Sequence, residues 1–187
     1  VVLAAGGSTR LNRPKQLVLW KGKPLVWHAV RAARAGGLSP VLVVLGSGRD
    51  EVKEALRDED VRFVENPRWR DGQSASVRTG LAAIADQVEG AVFLLSDMPL
   101  VGGALIEALV ERHQSTLAPI VAPQVGDRRA NPVLFDRNTF SELIDLKGDV
   151  GGRALFDRFS IETIDWHEDV FLDVDTDEDL RRLEAKE

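Results

Sequence analysis

The chain has 187 residues, 44% of them hydrophobic and 29% charged, with a formal net charge of −6. That balance suits one globular domain able to bury about 70% of its unfolded surface, and it lacks the basic field of a nucleic-acid-binding domain. No cysteine is present, which excludes disulfides, thiol nucleophiles, thiolate zinc sites and iron–sulfur ligation. The three histidines, His28, His113 and His167, stand too far apart for metal-ligand spacing. Any metal must then be held by oxygen or by histidine, and oxygen ligands, hence magnesium or manganese, are favoured. No apolar run approaches a membrane span and no signal-like segment leads the first strand, so a cytoplasmic protein without nucleic-acid or membrane partners is expected. The chain opens inside a strand pattern without an initiator methionine, and a few preceding residues are expected.

In chain order, an apolar strand over residues 1–4 breaks into a small-residue loop, Gly6-Gly7-Ser8, that runs on to Arg10, Arg13 and Lys15. Glycines let backbone N–H groups approach phosphate oxygens and nearby cations offset their charge, so the segment has the chemistry of a polyphosphate grip. It has neither the Gly-x-Gly-x-x-Gly spacing nor the Gly-Lys-Ser/Thr ending of the two commonest phosphate loops. Taken locally, it also fits a glycine-rich turn with solvated charges.

A helix is expected over residues 24–35, with Pro24 in its first turn. A strand over 41–46 precedes a helix over 50–56, a strand over 62–65 precedes a helix over 73–85, and a strand over 91–96 precedes a helix over 102–114. Residues 41–45 and 91–95 are apolar at every position, the mark of strands buried on both faces. The later part is less regular. Short strands are expected over 120–123, 132–135, 161–164 and 170–172, around helices over 137–143, 151–159 and 177–185, with some antiparallel pairing. Thr176 and Asp179 have capping-box spacing for the last helix. The pattern predicts an α/β fold with a mostly parallel sheet covered on both faces.

In such sheets ligands bind beyond the carboxyl ends of the strands. Asp97, in Ser96-Asp97-Met98-Pro99-Leu100, follows a buried strand, where a carboxylate costs desolvation unless it meets a cation. A plain capping role at a strand-to-helix turn fits the same residues. In Asp173-Val174-Asp175-Thr176 the two carboxylates alternate with an apolar residue and so share one side of an extended chain. An acidic helix entry explains Asp177, Glu178 and Asp179 equally well.

The spacing Leu3-Ala4-Ala5-Gly6-x-Ser8-x-Arg10-Leu11-x-x-x-Lys15 resembles the signature of Rossmann-like nucleotidyltransferases, and within them the MobA-like branch, specifically molybdenum cofactor cytidylyltransferases. Leu11-Asn12 stands where that pattern usually has Met-Gly. Three further segments resemble the same branch: Asn66-Pro67-Arg68-Trp69 through Gly72, Ser76 and Arg78; Gly126 through Asn131-Pro132-Val133-Leu134-Phe135, with Ala130 in place of a glycine; and Gly148-Asp149-Val150-Gly151-Gly152-Arg153.

The resemblance implies a Rossmann-like three-layer α/β/α fold over residues 1–187, with a nucleotide-binding N-terminal half and an acceptor-binding C-terminal half. It implies that Leu3, Ala4, Ala5, Gly6, Gly7, Ser8, Gly72, Ser76 and Arg78 bind the nucleotide, and that Arg10, Lys15 and Asp97 are catalytic. Asp97, Asp175 and Asp173 would hold the metal, and Asn131, Pro132, Asp149, Gly151 and Arg153 would meet the acceptor. The implied reaction transfers CMP from CTP to the terminal phosphate of molybdopterin, releasing pyrophosphate, with magnesium as cofactor and a molybdenum oxidoreductase as the eventual client. Transfer to a sugar or polyol phosphate, and carriage of the finished dinucleotide to an apo-oxidoreductase, are the alternatives.

Overall fold

The computed structural model describes residues 1–7, 11 and 13–186. Its centre is β1 (Val2–Ala4), which pairs in parallel with β4 (Leu42–Leu45) on one side and β6 (Gly90–Leu95) on the other. Between β1 and β4 lie a small antiparallel hairpin, β2 (Leu19–Trp20) with β3 (Lys23–Pro24), and helix α1 (Leu25–Ala35). Helix α2 (Arg49–Ala55) leads to β5 (Arg62–Glu65), which extends the sheet in parallel beside β4. Helix α3 (Gln73–Ala82) precedes β6, and α4 (Gly103–Thr116) follows it.

The chain then builds the other half of the sheet from β7 (Ile120–Val125), β8 (Arg128–Arg129) and β9 (Val133–Asp136). Strand β9 runs antiparallel between β6 and β7. Helix α5 (Phe140–Ile144), strand β10 (Ile161–Asp165) and helix α6 (Asp177–Glu184) complete the described elements. The sheet order is β10-β7-β9-β6-β1-β4-β5, with β8 paired to β7. The expected mostly parallel sheet with antiparallel pairs in the C-terminal half is the one observed.

Alternation along the central strands explains the three layers. Val2, Ala4, Val43, Leu45, Val92 and Leu94 face one apolar core shared with Val26 and Val30 of α1, Val52 of α2 and Leu105, Ile106 and Leu109 of α4. Leu3, Ala5, Leu42, Val44, Ala91 and Phe93 face the opposite core, shared with Val77 and Leu81 of α3 and Phe140 and Leu143 of α5. Each strand therefore buries both faces, as its unbroken apolar run requires. A smaller third core joins Val18, Trp20 and Leu25 to Leu172, Val174 and Leu183, and fastens the C-terminal segment to the β2–β3 hairpin.

Three local expectations are corrected. Residues 170–172 are not a strand but the end of a 3-10 turn, Glu168–Phe171, because Val170 and Leu172 are spent on packing into two different cores. Residues 151–159 do not form an α-helix. They make a 3-10 turn, Gly152–Leu155, where the paired glycines Gly151 and Gly152 allow close approach to Gln73 and Phe135. Pro24 sits not inside α1 but at its N-cap, with φ −62° and ψ 148°, because Lys23 and Pro24 are still paired with the preceding strand. The capping box at α6 forms in both directions, Asp179 N–H to Thr176 Oγ1 and Thr176 N–H to Asp179 Oδ2.

Candidate active site

The register of the sheet gathers the site. Ala4 lies opposite Leu45, Leu45 opposite Glu65, and Leu3 opposite Leu95, so four parallel strands end on one edge. Gly6, Gly46, Asn66 and Asp97 are the residues that follow. Because β9 runs the other way, its start lies at this same edge, which brings Asn131 and Pro132 alongside.

Asp97 is 7% exposed, at the end of the buried strand. Its Oδ2 is paired with Lys15 Nζ, and the same ammonium donates to Asp175 Oδ1 at 2.6 Å. The Asp97 Oδ1 atom is buried and has no hydrogen-bond partner among the described residues. Burial alone would depress the Lys15 ammonium, but the charge of Asp97 and the hydrogen bonds to Asp175 and Asp97 outweigh it and raise its pKa above the usual lysine value. Asp173 goes the opposite way for a carboxyl: burial first, then the neighbouring charges of Asp97 and Asp175, push its pKa up. Asp97, Asp173 and Asp175 thus share one electrostatic neighbourhood.

The backbone around Lys15 is pinned. It opens a short 3-10 turn, Lys15–Leu17, whose Gln16 is buried and donates to the carbonyl of Ser47 at 3.0 Å. A Cβ placed on Gly6 would lie 4.0 Å from Lys15 Cε, so the lysine stem runs beside the glycine loop. Gly7 lies against the Trp69 ring, where an added Cβ would come within 2.7 Å. Gly46 is hemmed in likewise, by the carbonyl and methyl of Ala5 and by Trp69 Cβ. The roles expected of Ser8 and Arg10 fall on residues outside those described.

A second group of expected residues surrounds the entry to α3. Gly72 caps that helix at φ +101°, and a Cβ there would meet Gly148 O and Asp149 N at 2.5 and 2.6 Å. Only glycine combines that backbone with that proximity. Gln73 N–H donates to Asp149 Oδ1 at 3.1 Å, and Ser74 N–H to Gly148 O at 3.3 Å. Ser76 is buried, its hydroxyl accepting from Asn66 Nδ2 at 3.0 Å. The Arg78 guanidinium donates to the Leu146 carbonyl, so it braces the 146–149 loop.

Leu3, Gln73, Asn131, Gly151 and Arg153 line one cleft beside this entry. Arg153 also donates to the Arg129 carbonyl at 3.0 Å, and both guanidinium groups lie over Phe156. Nucleotide-side and acceptor-side candidates thus meet at one end of the sheet. Sequence reasoning overlooked Gly46 and Gln73 as neighbours of the site; Gly46 carried a usable signal, a glycine directly after a buried strand at the ligand-binding edge.

Among the described residues, no group of three or more histidine, aspartate or glutamate side chains is arranged to hold a metal ion. Magnesium does not require one, since it is commonly held by one or two carboxylates together with substrate phosphates. An unpartnered buried oxygen on Asp97, with Asp175 and Asp173 beside it, is a donor set that fits such a cation. No helix among the described residues is long and apolar enough to cross a membrane.

Comparison with known proteins bears on this arrangement. Over 98% of its length the chain is 30% identical to nicotine blue oxidoreductase of Paenarthrobacter nicotinovorans, covering 94% of that protein. Over 68% of its length it is 31% identical to the bifunctional protein GlmU of Desulfotalea psychrophila, of which it spans 38%. The chain thus spans well under half of the GlmU proteins it matches. The crystal structure of Rv0371c from Mycobacterium tuberculosis superposes with a TM-score of 0.85 at 30% identity, covering 97% of this chain and 94% of that one. Rv0371c has also been crystallised in complex with manganese, and that structure superposes with a TM-score of 0.79 at 27% identity over 97% of this chain and 95% of that one. The MobA-like NTP transferase domain model matches residues 1–164, nearly all of the sheet, the group around α3, and Lys15 and Asp97, while Asp173 and Asp175 lie beyond it. The chain therefore belongs to the MobA-like NTP transferase domain family.

Proposed function

We propose that this protein transfers CMP from CTP to the terminal phosphate of molybdopterin carrying molybdenum, releasing pyrophosphate. The observation that carries the reading is the Lys15 ammonium between Asp97 and Asp175, at the sheet edge and beside the glycine loop. In this reaction an oxygen of the acceptor phosphate forms a bond to the α-phosphorus of CTP as the bond to the bridging α–β oxygen breaks, and pyrophosphate leaves with that electron pair. The acceptor is already anionic, so no strong general base is needed, and alignment with charge stabilisation carries the rate.

Gly6 and Gly7 present backbone to the triphosphate, and Ser8 belongs to the same nucleotide contact by the family resemblance. Lys15 and Arg10 take up the charge that develops on the departing pyrophosphate. Asp97 and Asp175, with Asp173 beside them, would hold magnesium or manganese, which would supply charge stabilisation to the triphosphate. Ser76, fixed by Asn66, and Gly72 stand on the base and ribose side. Asn131, Pro132, Asp149, Gly151 and Arg153 receive the acceptor, with Arg153 offering it a cation. The site is placed in the cytoplasm, and the product is passed to a molybdenum oxidoreductase.

A second reading is carriage of the finished dinucleotide to an apo-oxidoreductase. The similarity along nearly the whole chain to a protein named as an oxidoreductase favours keeping it in view. Transfer to a sugar or polyol phosphate is the third reading. Pyrophosphate release measured across the four ribonucleoside triphosphates, with molybdopterin, a sugar phosphate or no acceptor, tests all three. Release that needs CTP and molybdopterin is the expected result. Tight dinucleotide binding without turnover would select the carrier, and release with the sugar phosphate alone would select the other acceptor.

A further inference from the structure

The Lys15 ammonium occupies the ground between Asp97 Oδ2 and Asp175 Oδ1. A divalent cation held by the same two carboxylates would take the oxygens that the ammonium now pairs with. The ammonium and the cation would then be close enough to repel strongly in a half-buried site, so both cannot stay. Three features say that the lysine, rather than the carboxylates, is the part that moves. Asp97 ends a buried strand and is 7% exposed. Asp175 is held relative to Asp97 by the bond from Val174 N–H to the Asp97 carbonyl at 3.0 Å. Lys15, by contrast, carries its ammonium on a flexible four-carbon stem that can swing while the turn holding its backbone stays in place. That stem already runs beside Gly6, so an anion on the glycine loop lies within a short arc of Nζ.

We infer that Lys15 is a displaceable counter-cation: it neutralises Asp97 and Asp175 in the nucleotide-free protein and moves to the triphosphate when a divalent cation takes its place. The inference rests on the proposed assignment of Asp97 and Asp175 as cation ligands and adds an order to binding. Without nucleotide, the cation must expel the ammonium from both of its carboxylate pairings with no phosphate to take it up, and it binds weakly. With nucleotide, the displaced ammonium gains phosphate oxygens, so cation and nucleotide strengthen one another reciprocally.

The test is titration of Mn2+ into the nucleotide-free protein, followed by loss of the free-ion electron paramagnetic resonance signal. Lys15→Met removes the charge at similar length and is expected to bind Mn2+ about tenfold or more tightly than the unaltered protein. Lys15→Arg keeps a cation and is expected to stay weak. Thermal unfolding gives a second readout, in which Mn2+ raises the Tm of Lys15→Met more than that of the unaltered chain. Equal or weaker Mn2+ binding by Lys15→Met overturns the inference; should that variant not fold, Lys15→Gln is titrated instead and judged by the same outcome. If tight binding survives Asp97→Asn in the Lys15→Met background, the cation lies elsewhere, and the assignment of Asp97 falls with the inference. No acceptor or turnover enters these measurements. A protein that shows the expected Mn2+ behaviour yet fails to transfer CMP would overturn the proposed reaction alone.

Discussion

Val174 donates its backbone N–H to the carbonyl of Asp97 at 3.0 Å, joining two acidic segments that lie far apart in the chain. Val174 is itself fully buried in the small core with Trp20 and Leu183. Its apolar side chain thus anchors the strip on which Asp173 and Asp175 stand, while its amide sets their distance from Asp97. The alternation of acid and apolar residues in Asp173-Val174-Asp175 serves both needs at once.

Asp97→Asn keeps the shape of the side chain and removes its charge. The fold is expected to persist, by far-ultraviolet circular dichroism, while turnover falls about 10²-fold or more, on the scale of a lost electrostatic stabiliser. Near-normal pyrophosphate release at limiting Mg2+ would defeat the assignment. Asp175→Asn is expected to cause a milder loss, since the Asp175 side chain is more exposed than that of Asp97 and its charge is better screened by water.

Lys15→Ala separates binding from chemistry. If the ammonium meets charge that grows during transfer, the single-turnover rate should drop by about 10–10²-fold while CTP affinity changes much less. An unchanged single-turnover rate would make Lys15 a structural partner of Asp97 and nothing more.

Ala5 bears on the choice of base. Its methyl is buried and packed against Gly46, so it helps to set the wall beside the glycine loop. A wall narrowed by one methyl group can exclude a larger purine by clash. CTP is expected to be preferred over GTP, and Ala5→Gly to erode that preference by about 1–3 kcal/mol without reversing it. Competition of the two nucleotides in one assay measures this directly, and equal use of both by the unaltered protein would contradict it.

The cap on α6 gives a prediction about stability. Thr176 Oγ1 accepts from Asp179 N–H, and the Asp179 carboxylate accepts from Thr176. Thr176→Ala should destabilise the protein by about 1 kcal/mol, read by urea unfolding near neutral pH. The Thr176 hydrogen bond holds the Asp179 pKa below its usual value of 3.8, so this contribution is present above that pH and is lost as the pH falls through the lower folded value. The difference between Thr176→Ala and the unaltered chain should therefore shrink at strongly acidic pH. A constant difference down to that range would rule out the capping carboxylate as its source.

The central strands were legible from residues 1–4, 41–45 and 91–95 alone, because a strand buried on both faces has to be apolar throughout, whatever its neighbours. The glycine loop, the aspartate after the buried strand and the cap on α6 were legible for a similar reason: each follows from a few consecutive residues with a local physical requirement. Tertiary structure decided the rest. Residues 170–172 are as apolar as a strand, yet they form a turn, since two cores compete for Val170 and Leu172. Gly151 and Gly152 open a 3-10 turn rather than a helix because Gln73 and Phe135, distant in sequence, leave no room for a Cβ. Arg78 braces the 146–149 loop, a contact that no spacing announces. Above all, sequence alone places Lys15, Asp97 and Asp175 at three separate chain positions, and only the sheet register and the Val174 anchor bring their charges together. Ion pairing depends on distance in space, and in this chain that distance is set by packing.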